Sequence, residues 1–155
     1  MPALSEFPLH VCASRLHPER TYRRAADLYA EPLNTAPKHA LPILMLEEEQ
    51  LAVYRGTPPN RDDVCAVYIA EGTIAVPTGR IFVRFHEGSN ARAHAATLRQ
   101  LGYVIEDVPD YAPHVAWVRS TNGNIALALR NLDALCRLPE VENIEPQFIT
   151  ARAKR

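Results

Sequence analysis

Hydrophobic alternation is clear in the stretch Arg80-Ile81-Phe82-Val83-Arg84-Phe85-His86. In an extended chain Ile81, Val83 and Phe85 share one face, while Phe82, Arg84 and His86 share the other. A period of two is typical of a β-strand with one buried face. The sequence therefore predicts a strand over residues 80–86 whose aliphatic side belongs to a core.

Capping residues and periodicity predict the elements that follow this strand. A turn ending at Asn90 precedes a helical stripe that Gly102 stops, and Asn124 precedes a second stripe that Pro139 ends. The stripes comprise Ala91, Ala95, Leu98 and Leu101 in the first helix, and Ile125, Ala128, Leu129, Leu132, Leu135 and Cys136 in the second. Strands are predicted over residues 103–108, 114–119 and 141–149.

The predicted order is strand, helix, strand, strand, helix, strand. Right-handed crossovers turn that order into a four-stranded antiparallel sheet with both helices on one face. The fold class expected is therefore α+β, a ferredoxin-like βαββαβ domain over residues 79–155. The second face of its sheet is left open to solvent or to a partner.

The first half of the chain is interrupted by proline. Nine of the 13 prolines precede Gly79, and proline removes a backbone donor and fixes φ. We expect an N-terminal extension or small subdomain over residues 1–78, with one helix over residues 18–30. Over residues 43–46 and 51–54 a hairpin and a helix are both possible, and we favour strands because Pro42 and Gly56 bracket a short stretch. Short strands are also expected over residues 64–69 and 73–76, and a break at residues 77–79.

Two segments of the second half resemble subtilisin propeptides. The first is Gly79-Arg80-Ile81-Phe82-Val83-Arg84-Phe85 with the helix end Leu98-Arg99-Gln100-Leu101-Gly102-Tyr103, and the second is Leu138-Pro139-Glu140-Val141-Glu142-Asn143-Ile144-Glu145-Pro146-Gln147-Phe148-Ile149. The two occur in order, at propeptide spacing, and the resemblance covers about residues 79–153. Residues 1–78 resemble no family that we can name.

The resemblance implies a protein that inhibits a subtilisin-like serine protease or assists its folding. In such a complex the sheet face packs on the enzyme and the C-terminal tail lies in the substrate cleft. By similarity the tail would comprise Thr150, Ala151, Arg152 and Ala153, with Ala153 nearest the catalytic serine, followed by Lys154 and Arg155. Arg155 is the rival for that place, and a basic end suits a protease with an acidic specificity pocket.

The resemblance also implies an acidic residue that caps helix N-termini of the enzyme. Asp107 and Asp110 stand in the matching loop, and Glu106 is a weaker candidate; without the resemblance, Asp110 is an ordinary turn aspartate. The contacts expected on the open sheet face are Phe82, Arg84, Trp117 or Val115, and Phe148. The first half of the chain can instead cover that face, and the sequence leaves both arrangements open.

Other functions find less support. The main alternative to an inhibitor is a non-inhibitory protein-interaction module that uses the same face. RNA binding by this face is less favoured, because a net charge of −1 offers no general attraction to nucleic acid. We expect no enzyme, cofactor or metal site, because no catalytic motif or ligand spacing occurs. The three scattered cysteines are expected to be isolated thiols. We see no signal peptide and no membrane span, so a cytoplasmic location is the default expectation.

Overall fold

The computed structural model describes residues 4–33 and 41–150, and these residues form a nine-stranded antiparallel sheet with short helices. The strands are β1 His10–Cys12, β2 Thr21–Pro32, β3 Leu44–Leu46, β4 Leu51–Arg55, β5 Cys65–Ala70, β6 Thr73–Phe85, β7 Tyr103–Asp107, β8 Val115–Ser120 and β9 Val141–Thr150. The helices are α1 Ala95–Gln100, α2 Ile125–Arg130 and α3 Leu132–Cys136, with 3₁₀ turns at Leu4–Glu6 and Ala91–His94.

Strand β6 organises the sheet. It is 13 residues long, and β9 pairs with it from Ala75 to Phe85 along one edge. Along its other edge it pairs first with β5 and then with β8. From β5 the sheet continues through β2 to β4 and β3, and from β8 it continues to β7. Both halves of the chain therefore share β6 and β9.

The predicted fold class is wrong. A ferredoxin-like domain would have its own four-stranded sheet with two helices covering one face, and the first half would be an appendage. Instead one sheet takes nine strands from both halves, and the helices α1, α2 and α3 have only 6, 6 and 5 residues. The predicted boundary between residues 78 and 79 falls inside β6.

Two local predictions fail for related reasons. Residues 18–30 form no helix, because β2 pairs with β4 on one edge and β5 on the other, and that pairing outweighs a weak helical stripe. Residues 77–79 do not break the chain, because the pairing of β6 with β9 shifts register between Pro77 and Ile81. Such an irregularity is where a strand tolerates proline. The short strands predicted at residues 43–46, 51–54 and 64–69 are confirmed, and residues 73–76 form the beginning of the longer strand β6.

The capped ends and the buried strand face follow the sequence pattern. The side chain of Asn90 accepts a hydrogen bond from the Arg92 N–H, and that of Asn124 accepts one from the Leu127 N–H. Ile81, Val83 and Phe85 are completely buried, as the alternation of β6 predicts. Helix α2 packs on β6 and β8, so the core lies between the helices and this side of the sheet.

Candidate functional site

The sheet surface opposite the helices carries two aromatic side chains side by side. Phe82 on β6 is the register partner of Trp117 on β8, and their ring centroids are 5.4 Å apart in an edge-to-face arrangement. Both rings are half-buried, whereas Val118 is fully buried on the core side. The register therefore places Trp117 on this surface and Val118 in the core.

Two arginines lie against these rings. The guanidinium carbon of Arg80 is 4.5 Å from the centre of the Trp117 ring, and that of Arg84 is 5.9 Å from the centre of the Phe82 ring. A cation within about 6 Å of a ring face is attracted by its quadrupole. We call Arg80, Phe82, Arg84 and Trp117 the aromatic face. Val115, the other candidate for this surface, is only 7% exposed and contributes little to it.

Glu106 pairs with two arginines at the edge of the aromatic face. Its carboxylate accepts a hydrogen bond from Arg80 Nε at 2.6 Å and lies 3.5 Å from Arg119 Nε. These side chains are 36 to 44% exposed, so each pair contributes little to stability. The contact does keep the Arg80 guanidinium over Trp117. Glu106, expected as a helix-capping candidate, is thus engaged by two arginines of its own chain.

A cleft separates the aromatic face from the N-terminal part of the chain. Its cavity volume is about 370 Å³, and it is lined by residues from two regions of the chain: Ala13, Ser14, His17, Arg20 and Tyr22 from the first half, and Phe82, Trp117, Glu145, Pro146, Gln147 and Phe148 from the second. We call residues 13–22 the N-terminal wall. Burial, and to a lesser degree the charge of Glu145, raises the pKa of the Tyr22 hydroxyl. The first half therefore borders the aromatic face.

Buried polar contacts attach the N-terminal wall to β9. The Ser14 hydroxyl donates to Asn143 Oδ1 at 3.1 Å, and the Leu16 N–H donates to the same oxygen at 3.3 Å. The Arg15 N–H donates to the Ile144 carbonyl at 3.2 Å. Ser14 and Asn143 are only 6% and 2% exposed, so water cannot satisfy their polar atoms and these bonds do so instead. The wall is held in place by the last strand.

Phe148 lies in an aromatic cluster of three rings. Its ring stacks on Tyr22 with centroids 3.8 Å apart and meets Tyr68 edge-on at 5.5 Å. Tyr68 in turn donates its hydroxyl to the Pro8 carbonyl at 2.6 Å. The structure thus brings Phe82, Arg84 and Trp117 together on one surface, and Phe148 lines the adjoining cleft with Tyr22.

The acidic loop lies beside the aromatic face, near one end of β6. Asp107 ends β7 opposite Trp117, and Asp110 follows in a turn closed by the Ala112 N–H to Pro109 carbonyl bond. Both aspartates are exposed, and no hydrogen bond or ion pair joins their carboxylates to another described residue. They are free to meet a partner.

The predicted tail begins at the opposite end of β6. Thr150 ends β9 as the register partner of Ala75, and it is exposed. Ala151, Arg152, Ala153, Lys154 and Arg155 lie outside the described residues. The strand between Ala75 and Phe85 is about 33 Å long at 3.3 Å per residue. Thr150 and the acidic loop therefore lie toward opposite ends of β6.

Sequence reasoning missed three contributors to this site. Arg80 precedes Phe82 by two positions, and the same alternation that placed Phe82 would have placed Arg80 beside it. Tyr22 was assigned to a helix, so its contact with Phe148 had no local signal. Glu145 lies on β9 as the register partner of Phe82, and only the sheet pairing reveals that neighbour.

Comparison of the chain with family models, curated proteins and solved structures finds no match in any of the three. Nowhere in the described part of the chain do three His, Cys, Asp or Glu side chains come close enough to hold a metal ion. No helix in residues 4–33 and 41–150 is long and apolar enough to cross a bilayer.

Proposed function

We propose that this chain is a non-enzymatic binding protein that docks on a partner protein through the aromatic face. The observation that carries the proposal is the half-exposed Phe82–Trp117 pair, flanked by Arg80 and Arg84. Aromatic and arginine side chains are enriched among residues that dominate binding energy at protein interfaces. Their arrangement on a rigid sheet also limits the entropy lost on docking.

The partner class that we propose is a subtilisin-like serine protease, which the chain would inhibit or help to fold. This part depends on the propeptide resemblance of residues 79–153. Three features are compatible with it: a sheet surface opposite the helices, exposed carboxylates at Asp107 and Asp110, and a strand that leads directly into residues 150–155. The N-terminal wall narrows the approach, so the enzyme surface would have to fit beside residues 13–22.

The decisive experiment measures residual activity of a panel of subtilisin-like proteases with increasing amounts of the intact chain. We expect at least one protease to be inhibited. Removing residues 151–155 should abolish inhibition, while thermal unfolding stays nearly unchanged because every strand and helix of residues 4–33 and 41–150 is retained. Trp117→Ala should weaken inhibition about tenfold or more, as truncation of a central interface aromatic does.

The matched control is Leu41→Ala, which also shortens an apolar side chain that is 90% exposed but does not line the cleft. It should leave inhibition unchanged. If no protease in the panel is slowed by the intact chain, the inhibitor proposal fails. If a protease binds without being slowed, the chain is an interaction module of another kind.

Binding of single-stranded RNA is a second candidate, favoured by aromatic rings on two neighbouring strands. Such rings form a stacking platform in RNA-binding sheets. The charges oppose it, because Glu106 engages both Arg80 and Arg119 and Glu145 lines the adjoining cleft. A fluorescent oligonucleotide of mixed sequence, titrated with the same chain, separates the two. Tight RNA binding lost in Trp117→Ala, without protease binding, would replace our proposal.

A further inference from the structure

Two of the three cysteines line one cleft, although they stand far apart in the sequence. Cys12 ends β1, and Cys136 ends α3. Both line a cleft of about 270 Å³ between the first strand and the helices. The other lining side chains include Val11, Arg15, Leu132 and Asp133. All three cysteines are free thiols, as expected from their spacing, and two of them line the same cleft, whereas Cys65 does not.

The two thiols differ from Cys65 in access. Cys12 is exposed and Cys136 is half-buried, whereas Cys65 is buried and burial raises its pKa to about 12. A thiol with that pKa is almost never the reactive thiolate at neutral pH. Small oxidants in solution can therefore reach Cys12 directly, and Cys136 from the open side of the cleft, but not Cys65.

Charged groups surround Cys136 in this cleft. Burial raises the pKa of Cys136, the positive charge of Arg15 lowers it, and the negative charges of Asp133 and of an ionised Cys12 raise it further. Arg15 is fixed beside the cleft because its guanidinium donates to the Val141 carbonyl at 2.6 Å. The pKa of Cys136 is raised overall, and the Arg15 guanidinium offsets part of the effect of burial.

We propose that Cys12 and Cys136 form a reversible disulfide when the chain meets a small disulfide such as oxidised glutathione. The Cys12 thiolate attacks one glutathione sulfur, so a mixed disulfide forms and one glutathione leaves as a thiolate. The Cys136 thiolate then attacks the Cys12 sulfur and displaces the second glutathione. Two protons from the cysteines go to the two glutathione thiolates, and two electrons reduce the glutathione disulfide.

The cross-link would join β1 to the end of α3. It requires the two Cα atoms to lie within about 7 Å, and it replaces the hydrogen bond that the Cys12 thiol donates to the Ser14 carbonyl at 3.0 Å. Because Cys12 directly precedes the N-terminal wall, the bond would limit how far that wall moves from the aromatic face. This consequence rests on the proposed function, whereas the disulfide itself does not.

The test exposes the full-length chain to oxidised glutathione, blocks remaining thiols and maps the digest by mass spectrometry without reduction. We expect a cross-linked pair of peptides that contain Cys12 and Cys136, with Cys65 alkylated. Dithiothreitol should restore all three thiols. The melting temperature should be higher in the oxidised chain than in the reduced chain, and should return on reduction.

Two variants make the result decisive. Cys65→Ser should leave the cross-link and its thermal shift intact, whereas Cys12→Ser should abolish both. The proposal is overturned if Cys12 stops at the glutathione adduct, if disulfides form between chains, or if Cys12→Ser keeps the thermal shift. If the disulfide forms but no protease binds the chain, the proposed function is refuted and this inference stands.

Discussion

Tyr22 of β2 and Phe148 of β9 stack nearly parallel, with ring centroids 3.8 Å apart and an interplanar angle of 16°. The two residues belong to opposite halves of the chain, and their rings close one end of the cleft beside the aromatic face. The contact means that the first half is part of the fold that presents the candidate site. This contact, the close approach of Gly79 to Ile125, and the burial of Glu31 each lead to a test of the folded state.

Tyr22→Ala should destabilise the whole protein by about 2 kcal/mol, since it removes a half-buried ring and an aromatic pair. Urea unfolding should remain a single transition, because the halves share β6 and β9. Tyr22→Phe keeps the stacking and should stay within about 0.5 kcal/mol of the natural chain. An early separate unfolding of residues 1–78 in the Ala variant would contradict this account.

Gly79→Ala should lower the free energy of unfolding clearly more than Gly88→Ala does. Both glycines have left-handed backbones, with φ of 89° and 91°, so each alanine pays a strain of about 1 kcal/mol. An added Cβ at Gly79 would lie 3.0 Å from Ile125 Cγ1, whereas one at Gly88 would meet nothing within 4 Å. The crowding should add about 1–3 kcal/mol.

A double-mutant cycle identifies the source of that excess. In an Ile125→Ala background the extra cost of Gly79→Ala over Gly88→Ala should shrink, because the crowded methylene is gone. Chemical denaturation at one pH gives the free energy of unfolding of the natural chain, the three single variants and the two double variants. An unchanged excess would mean that helix α2 does not pack closely on the middle of β6.

Glu31→Gln should remove a pH dependence of stability. The Glu31 carboxylate is completely buried beside Arg61, and its Oε1 has no hydrogen-bond partner among the described residues. Burial raises the pKa of Glu31, the charge of Arg61 lowers it, and Asp63 raises it. The net shift is upward, so the folded state holds the proton more tightly than the unfolded state.

The sign follows from linkage. A raised carboxyl pKa gives a stability contribution that is full below the unfolded pKa, about 4.3, and is lost as pH rises through the higher folded pKa. The stability of the natural chain relative to Glu31→Gln should therefore fall from about pH 4 toward neutrality. Urea midpoints of both chains across that range test it. A difference that grows with pH would show that attraction to Arg61 outweighs burial.

Local signals in the second half were reliable because they depend on neighbours in the sequence. The alternation of Ile81, Val83 and Phe85, and the caps Asn90 and Asn124, each report a period or a hydrogen bond that closes within a few residues. The same rules failed at residues 18–30, where β2 is paired on both edges. Distant strands supply that pairing, so no local window contains it.

The sequence by itself determined which segments of the second half are strands and helices, which side of β6 is buried, and that Phe82 lies on the opposite side. Long-range contacts in the folded chain place one sheet across both halves, pair Trp117 with Phe82, and bring Cys12 and Cys136 to the walls of one cleft. The physical reason is range. Periodicity records the environment of one element, whereas sheet order and cleft walls depend on contacts between residues far apart in the chain.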